Sequence, residues 1–228
     1  MQTDINRIVF IPVIHTDKES VDRVIQTVNS VKPDVVAVEL DRERYYQLTE
    51  AKAGKNATPQ KMAEDAVQGL MQNLAILEQR LGETTGSSVG EEMIAAIEEG
   101  RRIGAKIALV DRPLHLTVQA LMSVPLDEIY RLTGLVPEAN EEIVQGDSKD
   151  IFGILKEEGA IADLMKDFEN EFPLTAEALI HQRDRYVANA LVTILDDVEG
   201  RIVVVLGAGH INGVQKVLKE LLEKQSAS

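Results

Sequence analysis

Four short apolar runs along the chain have the composition of buried β-strands. They cover residues 8–14, 35–38, 107–110 and 202–206, consist largely of Val and Ile, and do not alternate between apolar and polar positions. Continuous apolar runs of this length are typical of strands that are covered on both faces, as in parallel sheets. The sequence therefore predicts a small, mostly parallel four-stranded sheet.

Helical patterns separate these runs. Between the first two, apolar residues recur at helical spacing, and Thr16 with Glu19 forms a capping box. Residues 59–81 carry apolar positions at steps of three and four, and residues 82–90 form a polar connection. Residues 114–199 look helical throughout, with breaks near Pro125, Pro137 and Pro173. We expect one α/β domain over residues 1–228, with a large helical insertion of about residues 114–199 between strands three and four.

Composition and charge narrow the choice of partners. The chain has 24 Lys plus Arg against 38 Asp plus Glu, a formal net charge of −14, which repels nucleic acid backbones and anionic lipid surfaces. The absence of cysteine excludes disulfides and thiol nucleophiles and fits a reducing compartment. No apolar run approaches the ~20 residues that a membrane helix needs. We expect a cytoplasmic protein that binds no nucleic acid.

The row of apolar positions in residues 59–81 fits either the seam of a homodimer or an intramolecular helical hairpin.

Polar side chains follow all four predicted strands, where the ligand crevice of an open parallel sheet lies. The first strand is followed by His15, the second by Glu39, the third by Asp111 and Arg112, and the fourth by the segment 207–210, which ends in His210. Each residue taken singly could simply cap the next helix. Together, the four strand ends favour a functional site.

Arg183 supports this interpretation from outside the sheet. It falls near the centre of the apolar face of a helix of about residues 175–197. A buried guanidinium without a partner is costly, so we expect Arg183 to contact a carboxylate, with Glu39, Asp111 or Glu92 as candidates. This contact is either a structural ion pair that holds the helix against the sheet, or part of the catalytic machinery, or both.

The glycines before His210 do not form a nucleotide site. The segment 207–213 has Asn212 where the third glycine of the dinucleotide fingerprint is needed, and a single helix follows it. We expect Gly207 and Gly209 to let the backbone turn sharply and direct His210 into the crevice.

These motifs resemble those of the TraB/PrgY family, which belongs to a superfamily with the TIKI proteins and the erythromycin esterases. The resemblance rests on residues 15–20, 33–41 with Arg44 and Leu48, 90–97, 111–112, 183–184 and 207–213. It implies a small α/β domain in which two Gly-x-x-His motifs and a glutamate form the centre. Here these are His15, His210 and Glu39. Pro12 replaces the first motif's glycine, which predicts an irregular or edge strand before His15.

The resemblance also suggests chemistry, because TIKI relatives are regarded as metal-dependent peptidases and TraB/PrgY relatives are linked to the shutdown of peptide pheromones. We expect a hydrolase of a peptide or other acyl bond, in which His15, Glu39 and His210 bind a divalent Mn, Co or Zn ion. Asp111 or Glu92 would then act as the base, and Arg183 or Arg112 would hold the substrate or the oxyanion.

Two alternatives remain open at this point. One is an esterase-type hydrolase without a metal, in which His15 or His210 deprotonates water and Glu39 orients the imidazole. The other is a protein that binds a peptide or a small anionic molecule without turning it over.

Some relatives also look as if they carry a C-terminal membrane portion. If such a portion had been removed here, the protein would be membrane-associated.

Overall fold

The computed structural model describes residues 4–14, 18–54, 69, 90–134, 157 and 159–226. A 3₁₀ turn at Ile5–Arg7 leads into the first strand. The strands are β1 (Ile8–Val13), β2 (Val35–Val38), β3 (Lys106–Leu109) and β4 (Ile202–Gly207). The described helices before residue 172 are α1 (Lys18–Val31), α2 (Arg42–Lys52), α3 (Glu91–Arg102), α4 (Leu114–Leu121), α5 (126–134) and α6 (Ala160–Glu171). Two more follow: α7, which has three parts, and α8 (Ala208–Ser226). Helix α7 consists of Pro173–Ala176, a π-helical turn at Glu177–His181, and Gln182–Asp197.

The sheet confirms the predicted α/β architecture. Its four strands are all parallel and run in the order β1-β4-β2-β3. Strand β4, the last along the chain, lies in the interior, where Ile202 is level with both Ile8 and Val35. Strand β1 lies at an edge, which is where a strand that contains Pro12 is tolerated, because proline cannot donate to a neighbouring strand.

Helices cover both faces of the sheet, which explains the absence of alternation in the strand sequences. In β2, Val36 and Val38 face α1 and α3, while Val35 and Ala37 face α7 and α8. All residues of β2 and β4 are buried. Burying a Val or Leu side chain contributes about 1.5–3 kcal/mol, so the two central strands supply much of the stability of the sheet.

The predicted helical insertion between β3 and β4 is confirmed in its described parts. Helices α4 to α7 fill it, and they form a third apolar cluster that includes Leu121, Ile129 and Phe172. Pro125 separates α4 from α5, and Pro173 begins α7. Pro137 lies outside the described residues.

Several predictions concern segments that the structure does not describe. Except for position 69, the helix and dimer seam expected at 59–81 lie outside the described residues, as do the connection at 82–89, Thr16 of the capping box and His15. The division of the chain into a single domain stays a prediction. Among the described helices, none combines the length and the apolarity that crossing a bilayer requires.

Candidate functional site

Three strand ends and the middle of α7 bring charged side chains together at the carboxyl edge of the sheet. Glu39 directly follows β2, and Asp111 follows β3 by two residues. His210 lies in the first turn of α8, directly after β4, while Arg183 and Asp184 lie in α7. The name "charged cluster" is used below for Glu39, Asp111, Arg183, Asp184 and His210.

Arg183 is held by two carboxylates, as its place on an apolar helix face predicted. Its Nη2 atom donates to Oε1 of Glu39 at 2.5 Å and to Oδ2 of Asp111 at 2.8 Å, and its Nε donates to Oδ1 of Asp111 at 3.1 Å. Burial by itself lowers the pKa of Arg183, but the charges of Glu39 and Asp111 outweigh it and raise the pKa. Arg183 therefore carries a permanent positive charge in the cluster.

Glu39 is fixed by two different donors. Its Oε1 atom accepts from Arg183, and its Oε2 atom accepts a hydrogen bond from the backbone N–H of Gly207 at 2.7 Å. The side chain is 5% exposed, so both contacts operate in a partly water-excluded environment where charge-assisted hydrogen bonds are strong. Glu39 thus joins the end of β2 to the end of β4 and to α7.

His210 is oriented by Asp184, a residue that the sequence did not single out as part of the site. Its Nδ1 atom lies 2.7 Å from Oδ1 of Asp184, whose side chain is 3% exposed. A carboxylate only accepts, so Nδ1 carries the hydrogen and donates it. The other ring nitrogen, Nε2, then lies 3.3 Å from Nη1 of Arg183 and 3.5 Å from Oε1 of Glu39.

The protonation of His210 reflects these opposing neighbours. Burial lowers its pKa most strongly, yet the charge of Glu39 and the hydrogen bond with Asp184 outweigh burial and the repulsion of Arg183, so the pKa is raised. When protonated, Nε2 faces the carboxylate of Glu39. When neutral, Nε2 can accept from Arg183, so both charge states have a partner within the cluster.

Gly213 makes room for Asp184. A Cβ atom at position 213 would lie only 1.8 Å from Oδ2 of Asp184, closer than real side chains approach. The glycine in the middle of α8 thereby allows α7 to come close enough for Asp184 to reach His210. A glycine one turn after a predicted site histidine, together with an acid next to Arg183, is the signal that could have identified Asp184 from the sequence.

Asp41 joins two of the loops that carry the cluster. Its Oδ1 atom accepts from the backbone N–H of Arg44 at 2.7 Å and caps α2. Its Oδ2 atom accepts from the backbone N–H of Leu114 at 2.7 Å, at the start of α4. Because Glu39 precedes Asp41 and Asp111 precedes Leu114 by a few residues, this one carboxylate fixes the spacing between the two loops.

Two other predicted site residues, Arg112 and Glu92, are buried. Arg112 is 5% exposed and donates by Nε to Thr117 Oγ1 at 2.9 Å, by Nη1 to Gln182 Oε1 at 2.8 Å, and by Nη2 to the carbonyl of Ala178. Glu92 lies buried in the first turn of α3. Of the three carboxylates that the sequence offered, Arg183 forms ion pairs with Glu39 and Asp111.

In the described part of the predicted metal site, both ligand side chains are engaged by other groups. Both oxygens of Glu39 accept hydrogen bonds, and the guanidinium of Arg183 lies against Oε1 of Glu39 and Nε2 of His210. Within residues 4–14, 18–54, 90–134 and 159–226, no three acidic or histidine side chains form a metal-binding group. His15, the third predicted ligand, lies outside this range.

A groove of about 1250 Å³ adjoins the charged cluster. Asp184 and Gly213 form part of its wall, next to Ala208 and Gly209 at the start of α8. Its other walls come from the end of β1 and from α6 and α7. Small-molecule sites usually measure about 300–1,000 Å³, so this groove has room for a ligand of several residues.

Comparison with known proteins identifies the family. Residues 4–226 match the family model described as the TraB/PrgY/gumN family. An uncharacterized protein of Methanocaldococcus jannaschii is 28% identical to the chain over 91% of its length, and TraB domain-containing proteins of Bos taurus and Homo sapiens are 27% and 25% identical over 93% of it. The chain spans 52% of the first relative and 63% of the other two. Because the family model extends over nearly every residue, the chain belongs to the TraB/PrgY/gumN family.

Proposed function

We propose that the charged cluster is the active centre of a hydrolase that uses water to split a peptide or another acyl bond. The observation that supports this proposal most directly is the 2.7 Å hydrogen bond between Asp184 and Nδ1 of His210. A carboxylate that fixes one nitrogen of an imidazole sets the tautomer in which the other nitrogen is the base, which is the arrangement found in hydrolytic triads. In this proposal the attacking water enters between Nε2 of His210 and Nη1 of Arg183, which lie 3.3 Å apart before it binds.

In this proposal His210 moves the proton. Its Nε2 atom takes a proton from water, the resulting hydroxide attacks the carbonyl carbon, and the same proton is then given to the leaving amine or alcohol. Asp184 keeps the ring in the required tautomer and stabilises the imidazolium that forms. Because the charge of Glu39 and the hydrogen bond with Asp184 raise the pKa of His210, its imidazole is a stronger base than a free one.

Arg183 supplies the positive charge for the oxyanion that develops during attack. Its Nη1 atom lies 3.3 Å from Nε2 of His210, so water and substrate carbonyl would meet beside both groups. Glu39 and Asp111 hold the guanidinium in one orientation, which removes the cost of ordering it during the reaction. The substrate would lie in the adjoining groove, whose wall includes Asp184.

A peptide is the first substrate class to test. The size of the groove supports an extended chain of several residues, and the family resemblance links such domains to the shutdown of peptide pheromones. The expectation that Mn, Co or Zn is bound by His15, Glu39 and His210 is a separate proposal. No step above depends on it, because Arg183 already neutralises the charge of Glu39.

The test measures hydrolysis of a peptide library and of activated acyl esters in the presence of EDTA. We compare the wild-type protein with His210→Gln and Asp184→Asn, and with His115→Gln as a matched control, because His115 is exposed on α4 and is not part of the groove wall or of the cluster. We expect turnover that falls by about 10²- to 10⁴-fold in His210→Gln and is retained in His115→Gln.

Two results would contradict the proposal in different ways. Turnover that requires added Mn, Co or Zn, together with bound metal that is lost in His210→Ala, would favour the metal-dependent reaction. Saturable binding of a peptide that depends on His210, with no product formed, would indicate a binding protein and would exclude the hydrolase.

A further inference from the structure

Helix α7 changes its winding immediately before the two residues that it contributes to the charged cluster. The backbone N–H of Gln182 donates to the carbonyl of Glu177, five residues back, which defines a π-helical turn at Glu177–His181. Arg183 and Asp184 follow this turn at once. Such turns contain one residue more than an α-helical turn, and they occur frequently at functional sites.

The π-helical turn joins two segments that are packed in different places. Before it, the N–H of Thr175 donates to Glu128 of α5 at 2.6 Å, and at its beginning Ala178 belongs to the apolar cluster of the helical insertion. After it, Val187, Leu191 and Leu195 pack on the sheet. Consecutive residues of an α-helix differ by about 100°, so a slip of one residue at the junction would turn Arg183 and Asp184 away from their partners.

Arg112 holds this π-helical junction with two of its three guanidinium nitrogens. Its Nη2 atom donates to the carbonyl of Ala178 within the π-helical turn, and its Nη1 atom donates to Oε1 of Gln182, the first residue after it. The Nε atom donates to Oγ1 of Thr117 in α4. A planar guanidinium presents its donors in a fixed geometry, so one side chain can hold three acceptors on two helices at once.

The neighbouring residue in the chain makes the complementary contact. Asp111 binds Nε and Nη2 of Arg183, while Arg112 binds the turn that precedes Arg183. Each of the three guanidinium nitrogens of Arg112 has an acceptor within the protein, and only 5% of the residue is exposed.

We infer that Arg112 is a positioning residue: it holds the π-helical turn of α7 and thereby keeps Arg183 and Asp184 directed into the charged cluster. This inference rests on the proposed function only for its effect on turnover. It replaces the expectation that Arg112 contacts the substrate or the oxyanion, and its structural part stands independently of any reaction.

The test reads the tautomer of His210 by long-range ¹H–¹⁵N NMR of the imidazole nitrogens in the full chain, at a pH above the end of the ring's own titration, which the same ¹⁵N shifts define. With four histidines in the sequence, His210→Gln assigns the signal. Asp184 holds the wild-type ring with hydrogen on Nδ1, and a ring without this partner prefers hydrogen on Nε2. We expect Arg112→Lys, which keeps the charge but loses the guanidinium geometry, to shift His210 toward the Nε2–H form.

In the hydrolysis assay we expect Arg112→Lys to lower kcat on the order of 10- to 100-fold and to leave KM within about twofold, because the reacting groups are misplaced while the groove is intact. The matched control is Arg201→Lys, at the opposite end of β4, where the arginine is exposed. We expect this control to change neither the tautomer nor the kinetics.

An unchanged tautomer in Arg112→Lys, or a rise in KM alone, would overturn the inference and return Arg112 to a substrate-binding role. If Arg112→Lys does not fold, Thr117→Val removes one acceptor of the guanidinium without altering any charge, and an unchanged His210 tautomer in that variant overturns the inference as well. If the wild-type protein hydrolyses nothing, the proposed function fails, and the NMR result still decides the role of Arg112.

Discussion

Replacing Gly213 by alanine should destabilise the protein, although alanine is the better helix former. In the interior of an exposed helix, Gly→Ala stabilises by about 0.5–1 kcal/mol. At position 213 of α8, however, the new Cβ would lie 1.8 Å from Oδ2 of Asp184, so the carboxylate has to move. That movement breaks the hydrogen bond to Nδ1 of His210.

The magnitude follows from these two effects. A hydrogen bond to a charged group contributes about 1.5–3 kcal/mol, and the gain in helix propensity offsets about 1 kcal/mol of its loss. We therefore expect Gly213→Ala to lower the free energy of unfolding by about 0.5–2 kcal/mol in urea denaturation. In an Asp184→Ala background the clash is absent, and the same substitution should stabilise by about 1 kcal/mol.

The four proteins form a double-mutant cycle with an expected coupling of about 1.5–3 kcal/mol between positions 184 and 213. Asn212→Ala is the matched control, because Asn212 is the exposed residue next to Gly213 and gains helix propensity without meeting Asp184. A coupling near zero, with Gly213→Ala stabilising in both backgrounds, would refute the close contact between α7 and α8 on which the orientation of His210 depends.

Three further substitutions test other contacts of the cluster. Asp41→Ala removes the cap of α2 and the acceptor at the start of α4, and should cost about 2 kcal/mol in urea denaturation, with Asp41→Asn losing about half as much; equal effects would contradict the two-sided role. Arg183→Met leaves Glu39 and Asp111 as buried charges and should cost about 3 kcal/mol, part of which Glu39→Gln in the same chain should restore; no restoration would argue against the ion pair. The raised pKa of His210 means that its contribution to stability is present below about pH 6.5 and is lost as the pH rises through the folded-state pKa. The difference in unfolding free energy between wild type and His210→Gln should therefore shrink from about pH 5 to about pH 9, and a difference that grows would show the opposite shift.

Much of the sheet and part of the cluster could be predicted from the sequence. The four apolar runs correspond to the four strands within one or two residues, because strands covered on both faces cannot contain polar positions. A carboxylate partner for Arg183 could also be predicted, since a charged arginine on an apolar helix face requires one. The sequence offered Glu39, Asp111 and Glu92, and the structure pairs Arg183 with the first two.

Asp184 and Arg112 show where this reasoning stops. Asp184 is more deeply buried than Arg183, with 3% against 22% of its side chain exposed. In an ideal α-helix it would point about 100° away from Arg183, and the close approach allowed by Gly213 brings His210 within its reach. From the sequence, Arg112 is a candidate, beside Arg183, for holding the substrate or the oxyanion. In the structure its acceptors lie on α4 and α7, and one of them, Gln182, is 70 residues away from Arg112 in the chain.

The sequence by itself determined the element types, the parallel sheet and the identity of the strand ends, because these depend on local apolar patterns and on the physical requirement to bury them. Only the tertiary structure decided that β4 lies in the interior of the sheet, that α7 contains a π-helical turn, and that the two nitrogens of His210 face Asp184 on one side and Glu39 with Arg183 on the other. These features arise from contacts between segments that are distant in the chain, and no local pattern records which partners such segments meet.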